Sequence, residues 1–268
     1  MNKTLIQQAA AQLRAAEENR RACNPLRNHF SEALAELNAE QRLQAAYAIK
    51  QHNHNYWCEH KQSTGVKIGM SSAFVQELFG ITEPDYGHLY QDMQLELNDP
   101  LPLSQLIAPK LEVEWALKLA RDITRAPSSI EDLMGCVDEI ALAFEIVDSR
   151  ISHWDVQAFD LIADNGSSSK YLLSRDTVKP DQIDLLNQPL SLRRNGELVS
   201  EVSASESLGN PWEFAHRLVS KSIEMDFPLR RGDLLLTGTL TPIQDIGAEE
   251  TWLASAPGFT EISLSITQ

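Results

Sequence analysis

The chain is poor in cysteine, in basic residues and in long apolar runs, and each scarcity narrows what the protein can be. Its three cysteines, Cys23, Cys58 and Cys136, stand far apart and form no Cys-x-x-Cys pair. An odd, scattered set points to a reducing cytoplasm and away from a disulfide-stapled fold. Lys and Arg number 23 against 38 Asp and Glu, a net charge of −15. Such a surface does not suit nucleic acid, whose phosphates need basic partners. An anionic substrate would need its positive potential made locally, by a metal ion and a few cations. No apolar stretch is long enough to span a membrane, and the first residues, Met1 to Gln8, read as the start of an amphipathic helix with no signal core. Neither a Walker loop, a dinucleotide fingerprint nor a Gly-x-Ser-x-Gly elbow occurs.

What remains is the composition of an ordinary globular protein, 43% hydrophobic and 23% charged over 268 residues. The first part reads as helical. Leu5, Ile6, Ala9, Leu13 and Ala16 recur at helical spacing, and Pro25 closes the run. Asn38 and Gln41 resemble a capping box that opens a second run to about His60, stopped by Gly65. The texture then changes to short strands: 66–70, 111–119, 142–147, 159–163, 190–194, 197–203, 233–237 and 261–267. Asn195-Gly196 marks a hairpin. Two further helices are expected, over 129–140 and 212–222. The fold class is therefore α+β, a helical N-terminal cap over 1–64 on a mixed, mostly β body over 65–268.

The most informative feature is the pair Glu112 and Glu114, in Pro109-Lys-Leu-Glu-Val-Glu-Trp. On a strand, residues i and i+2 share a face and lie roughly 7 Å apart. Leu111, Val113 and Trp115 would take the other face, toward a core. Two carboxylates that close repel unless a cation lies between them, and a hard divalent ion suits oxygen ligands. Glu145 is a third candidate. Taken alone, Glu-x-Glu on a strand is more often a solvated face. Lys67, between Val66 and Ile68, reads either as a cation facing a cleft or as an edge-strand lysine. Asp85 lies in Glu83-Pro-Asp-Tyr-Gly87, which reads as a turn. Asp164-Asn-Gly-Ser167 ends an apolar run, either at the rim of a site or as a plain loop. His52, His54, Cys58 and His60 imitate a zinc site, but on a helix only His54 and Cys58 share a face.

Taken in order, Lys67-Ile-Gly69, Pro84-Asp-Tyr-Gly87 with Asp92-Met93, Pro109 to Glu114, Glu145 to Arg150, Ala163-Asp-Asn165, Gly209-Asn-Pro211 and Arg231-Gly-Asp233 leading to Thr237-Gly-Thr239 resemble one family. It is the hydratase/decarboxylase branch of the fumarylacetoacetate hydrolase superfamily, and the resemblance spans essentially the whole chain. It implies one Mg²⁺ or Mn²⁺ held by Glu112, Glu114 and Glu145. It also implies Lys67, Asp85 and Ser167 as catalytic residues, with Lys67, Ser167 and Thr239 touching a 2-hydroxy-dienoate or its 2-oxo tautomer. The implied activity is hydration of 2-hydroxypenta-2,4-dienoate in aromatic catabolism, by a homo-oligomer that associates with the related decarboxylase. The alternatives are 4-oxalocrotonate decarboxylation, signalled by a further cation at the far end of the pocket, C–C hydrolysis, and an inactive scaffold subunit. Val113 and Trp115 are larger than the family's usual residues, and Thr239-Leu-Thr-Pro242 ends its segment with an unusual proline.

Overall fold

Asn2 opens the first helix, α1 (Lys3–Asn19), by accepting the Leu5 amide at 3.0 Å in a computed structural model. That structure describes residues 1–268, the side chains of Ala73 and Phe74 excepted. The helix ends at Arg20, whose left-handed backbone stops it well before Pro25. Two short helices follow, α2 (Leu26–His29) and α3 (Ser31–Ala35), and then α4 (Ala39–Cys58). The expected capping box is present, with Asn38 and Gln41 exchanging hydrogen bonds of 2.9 and 3.0 Å. Gly65, expected to stop this helix, lies instead inside β1 (Ser63–Gly69). Its φ is +139°, and any Cβ there would fall 2.0 Å from the Leu234 carbonyl oxygen. Only glycine fits so close a strand approach.

The remaining elements are α5 (Ala73–Phe79), β2 (Asp85–Tyr90), β3 (Leu101–Pro102), β4 (Pro109–Leu119), α6 (Ile130–Met134) and β5 (Val137–Asp148). After them come α7 (Ala158–Ala163), β6 (Ser168–Leu173), β7 (Leu190–Arg194), β8 (Glu197–Val202), α8 (Pro211–Glu224), β9 (Leu234–Leu236), β10 (Gln244–Asp245), β11 (Thr251–Ser255) and β12 (Ile262–Thr267). One sheet runs β2-β1-β9-β4-β5-β6, with β10 paired to β4; the other runs β3-β12-β11-β7-β8. Val113, Trp115 and Phe144 of the first share one core with Trp252 and Leu264 of the second and Leu218 of α8. A second core joins Ala9 and Leu13 of α1 to Ala46 and Ile49 of α4 and Phe159 and Ile162 of α7. No helix is long and apolar enough to cross a membrane among the described residues.

Three further expectations are corrected. The run 159–163 is the helix α7, opened by Asp160 accepting the Gln157 amide at 3.1 Å; an apolar run that short carries no period to tell helix from strand. The helix expected over 129–140 ends at Met134, and β5 starts at Val137. The turn expected at 83–87 gives way at Asp85 to β2, which pairs with β1 from Gly69 opposite Asp85 to Ser63 opposite Tyr90. The hairpin at Asn195-Gly196 is observed, both residues at positive φ, between β7 and β8.

Candidate active site

Register in the first sheet brings the glutamates together. On antiparallel β4 and β5, Glu112 faces Glu145 directly, while Glu114 faces Ala143 and Ala116 faces Ala141. Cross-strand partners lie on one face about 5 Å apart. The alanines leave room beside the carboxylates, and the opposite face carries the bulky core residues. One oxygen from each of Glu112, Glu114 and Glu145 lies within 4.8 Å of the others, the only such acidic, His or Cys cluster among the described residues. Glu114 and Glu145 are fully buried and Glu112 is 9% exposed. Gly238 donates its amide to Glu114 Oε2 at 2.8 Å, but Glu114 Oε1 and Glu145 Oε2 have no partner, and Glu145 Oε1 meets only a lysine ammonium. Burial first, and the neighbouring carboxylates second, hold Glu112 and Glu114 above the usual carboxylate range.

Among the described residues the cation paired with this trio is Lys67 on β1, its Nζ 3.2 Å from Glu145 Oε1. Burial works against its charge, yet the three glutamates outweigh burial and raise it above the ordinary lysine value. With all three carboxylates ionised, one ammonium would leave two negative charges to be compensated. A buried set of bare oxygens short of two positive charges is a donor set that fits a hard divalent cation. Lys67 reaches this position because its neighbours lack side chains. A Cβ on Gly166 would come within 3.0 Å of Lys67 Cε, and one on Gly87 within 2.5 Å of the Asn165 carbonyl oxygen.

Asp85 begins β2 and is 3% exposed. Its Oδ1 accepts from Lys50 Nζ at 2.8 Å, and its Oδ2 has no partner. Lys50 also donates to the Tyr86 carbonyl and sits 3.6 Å from the Tyr86 ring centroid. Burial lowers Lys50 to about 8, although Asp85 pulls the other way. Sequence reasoning missed Lys50. A signal existed, because Lys50 lies four residues after Ala46 and next to Ile49, on the stripe that α4 buries.

Lys67, Asp85, Glu112, Gly238 and Thr239 line one cavity of about 570 Å³, whose remaining wall is largely apolar. Thr239 there spends its hydroxyl on the Thr241 carbonyl at 2.9 Å. Ser167 does not join them: its hydroxyl donates to Asp164 Oδ2 at 2.9 Å, and its neighbour Gly166 lines the cavity instead. Asp164 is in turn bound by Arg150 Nε at 2.6 Å. His54 and Cys58 approach to 3.4 Å, but His54 also meets the Tyr90 hydroxyl at 3.0 Å and stacks on buried His88. That group has no third ligand, and burial lowers His54 to about 4.

A carboxylate trio with a buried lysine, on the inner strands of a mixed sheet beside an open cavity, has the make-up of an enzyme site. The chain belongs to the fumarylacetoacetate hydrolase family, whose C-terminal family model matches residues 92–265. Within it, the 2-keto-4-pentenoate hydratase of Paraburkholderia phymatum is 36% identical over 264 residues, 98% of each chain. The TodF product hydratase of Pseudomonas putida is 30% identical, over 98% of this chain and 96% of its own. A solved structure of 4-oxalocrotonate decarboxylase from Pseudomonas putida G7, complexed with magnesium and adipate, superposes with a TM-score of 0.90 over 99% of this chain and 98% of that one. At 20% identity that likeness speaks for the fold alone.

Proposed function

We propose that the protein is a divalent-metal-dependent hydro-lyase that adds water to 2-hydroxypenta-2,4-dienoate, giving 4-hydroxy-2-oxopentanoate, in the catabolism of ring-cleaved aromatics. The observation that carries the reading is the make-up of the cavity. Its polar end holds Glu112, Lys67 and Asp85, and Lys67 is the only Lys or Arg among its lining residues. A second substrate carboxylate, as in 4-oxalocrotonate, would find no cation at the far end, which favours hydration over decarboxylation. The named hydratases at 30–36% identity over nearly the whole chain support the same choice.

Glu112, Glu114 and Glu145 would hold one Mg²⁺ or Mn²⁺. Bound there, the ion supplies Lewis-acid stabilisation for negative charge on the substrate's C1 carboxylate and C2 oxygen. Lys67 sets a fixed positive charge beside the same oxygens and needs no reorganisation to do so. Asp85, with one oxygen tied to Lys50 and the other free, holds or delivers a proton at C5 and at the water that attacks C4. Such a group contributes typically ~10²–10⁴ in rate. Lys50 is a positioning residue that fixes the Asp85 carboxylate. Ser167 acts through Asp164, and Thr239 forms part of the substrate wall. We further propose that the enzyme works in the cytoplasm as a homo-oligomer, with the related decarboxylase as a partner.

The test is product mass after incubation of protein and Mn²⁺ with freshly generated 2-hydroxypenta-2,4-dienoate and, separately, 4-oxalocrotonate. Gain of one water by the first, abolished by chelator, is expected. Loss of CO₂ from the second with the first untouched would make the protein a decarboxylase, and no change in either would make it a scaffold.

A further inference from the structure

The cavity is larger and more apolar than a five-carbon acid needs. About 570 Å³ lies in the range of pockets that hold drug-sized ligands. Away from Lys67, Asp85 and Glu112 its wall is built by Leu161, Leu208, Leu240 and Ile243, with Val75 and Leu78 of α5. Four large hydrophobic side chains stand exposed among the described residues, and two of them, Leu78 at 66% and Ile243 at 49%, belong to this wall. Exposed apolar surface of this kind marks a binding site more often than chance. The wall is also continuous with the acid-binding end. Gly238 donates to Glu114, and Leu240, Pro242 and Ile243 follow it along the same cavity.

We propose that this chamber receives an unbranched alkyl chain of about three or more carbons carried on C5 of the substrate. The natural substrate class is then the 5-alkyl 2-hydroxy-2,4-dienoates, a refinement that rests on the hydratase reading above. The chemistry tolerates the chain. Water's hydroxyl joins C4, protons join C3 and C5, and the enol proton leaves the C2 oxygen, so R–CH=CH–CH=C(OH)–COO⁻ plus water becomes R–CH₂–CH(OH)–CH₂–CO–COO⁻. No bond to R forms or breaks. The chain contributes recognition only, through burial of methylenes against the apolar wall.

Calorimetry on the Mn²⁺-loaded protein with saturated 2-oxo acids separates binding from turnover. Lengthening 2-oxopentanoate to 2-oxooctanoate lowers Kd at least about tenfold, from the gain of burying three methylenes. The dicarboxylic 2-oxohexanedioate binds more weakly than either. Ile243→Arg, at a half-exposed position that tolerates a long polar side chain, removes most of the chain-length gain. Equal affinities for the five- and eight-carbon acids, tightest binding by the diacid, or no binding by any of the three overturns the proposal. Hydration of 2-hydroxyocta-2,4-dienoate is followed in parallel. If no dienoate gains water while the eight-carbon acid still binds more tightly, the hydratase reading fails and the alkyl chamber stands.

Discussion

Arg150 and Lys67 are both buried cations set among carboxylates, yet their surroundings are finished to different degrees. Arg150 Nε donates to Asp164 Oδ1 at 2.6 Å, and its Nη1 reaches the carbonyls of Asp148 and Ser168 at 3.1 and 2.8 Å. Asp164 Oδ2 accepts from the Arg150 amide and the Ser167 hydroxyl at 3.1 and 2.9 Å. No atom of either side chain lacks a partner. Around Lys67 the count fails: of the three glutamates beside it, Glu114 Oε1 and Glu145 Oε2 are buried with no partner, and Glu145 Oε1 has only the Lys67 ammonium at 3.2 Å. The first cluster is closed and holds a loop to a strand. The second is open, and an unpaired buried oxygen is expensive enough to call for a partner.

The sharpest way to break the contrast is to unfinish the closed cluster. Arg150→Met leaves Asp164 buried without its cation, at a cost of about 3–5 kcal/mol. A thermal midpoint about 10 °C lower is expected, and a midpoint within about 2 °C of the wild type would show that the cluster does not hold the fold. Next in size is the free oxygen beside the cavity. Asp85→Asn should lower kcat at least tenfold with little change in KM, about 1.4 kcal/mol of transition-state stabilisation. Unchanged turnover would remove Asp85 from the reaction. Smaller, and opposite in sign to the first, is the effect of relieving the open cluster. Glu112→Gln in metal-free protein removes an acid that burial and its neighbours hold above the usual carboxylate range, so the midpoint at neutral pH should rise by about 2–4 °C, roughly 1 kcal/mol; a fall would mean that the trio is not strained.

The smallest effect concerns pH. Burial lowers the Lys50 ammonium to about 8. Below that pH its ammonium pairs with Asp85, and above it the pair is lost, so kcat should fall as pH rises through about 8. Arg keeps its proton throughout this range. Lys50→Arg should therefore move the alkaline limb of the kcat profile upward, and an unmoved limb would assign it to another group.

Much of this arrangement was legible in the residue order. The alternation of Leu111, Val113 and Trp115 with Glu112 and Glu114 is a local pattern with period two, and β4 follows it. Asn38 with Gln41, and Asn195 with Gly196, are equally local signals, and both appear in the fold. What could not be read was pairing across the sheet. Nothing in the sequence states that Glu145 stands opposite Glu112, because register is set by two whole strands packing their other faces. The same holds for Asp85, whose Pro and Gly neighbours suggest a turn while β1 draws it into a strand. Lys50 was hidden because a lysine on a helix is ordinarily solvated. The family resemblance implies Ser167 beside the substrate, but its left-handed backbone turns the hydroxyl to Asp164.

The central claim is that the open cluster is a metal centre, and Mn²⁺ titration of chelator-stripped protein tests it most directly. Wild-type protein should bind one Mn²⁺ per chain, and Glu114→Gln, altered at a fully buried carboxylate, should lose that binding while remaining folded by circular dichroism. Full Mn²⁺ occupancy in the folded variant would place the ion elsewhere and contradict the account.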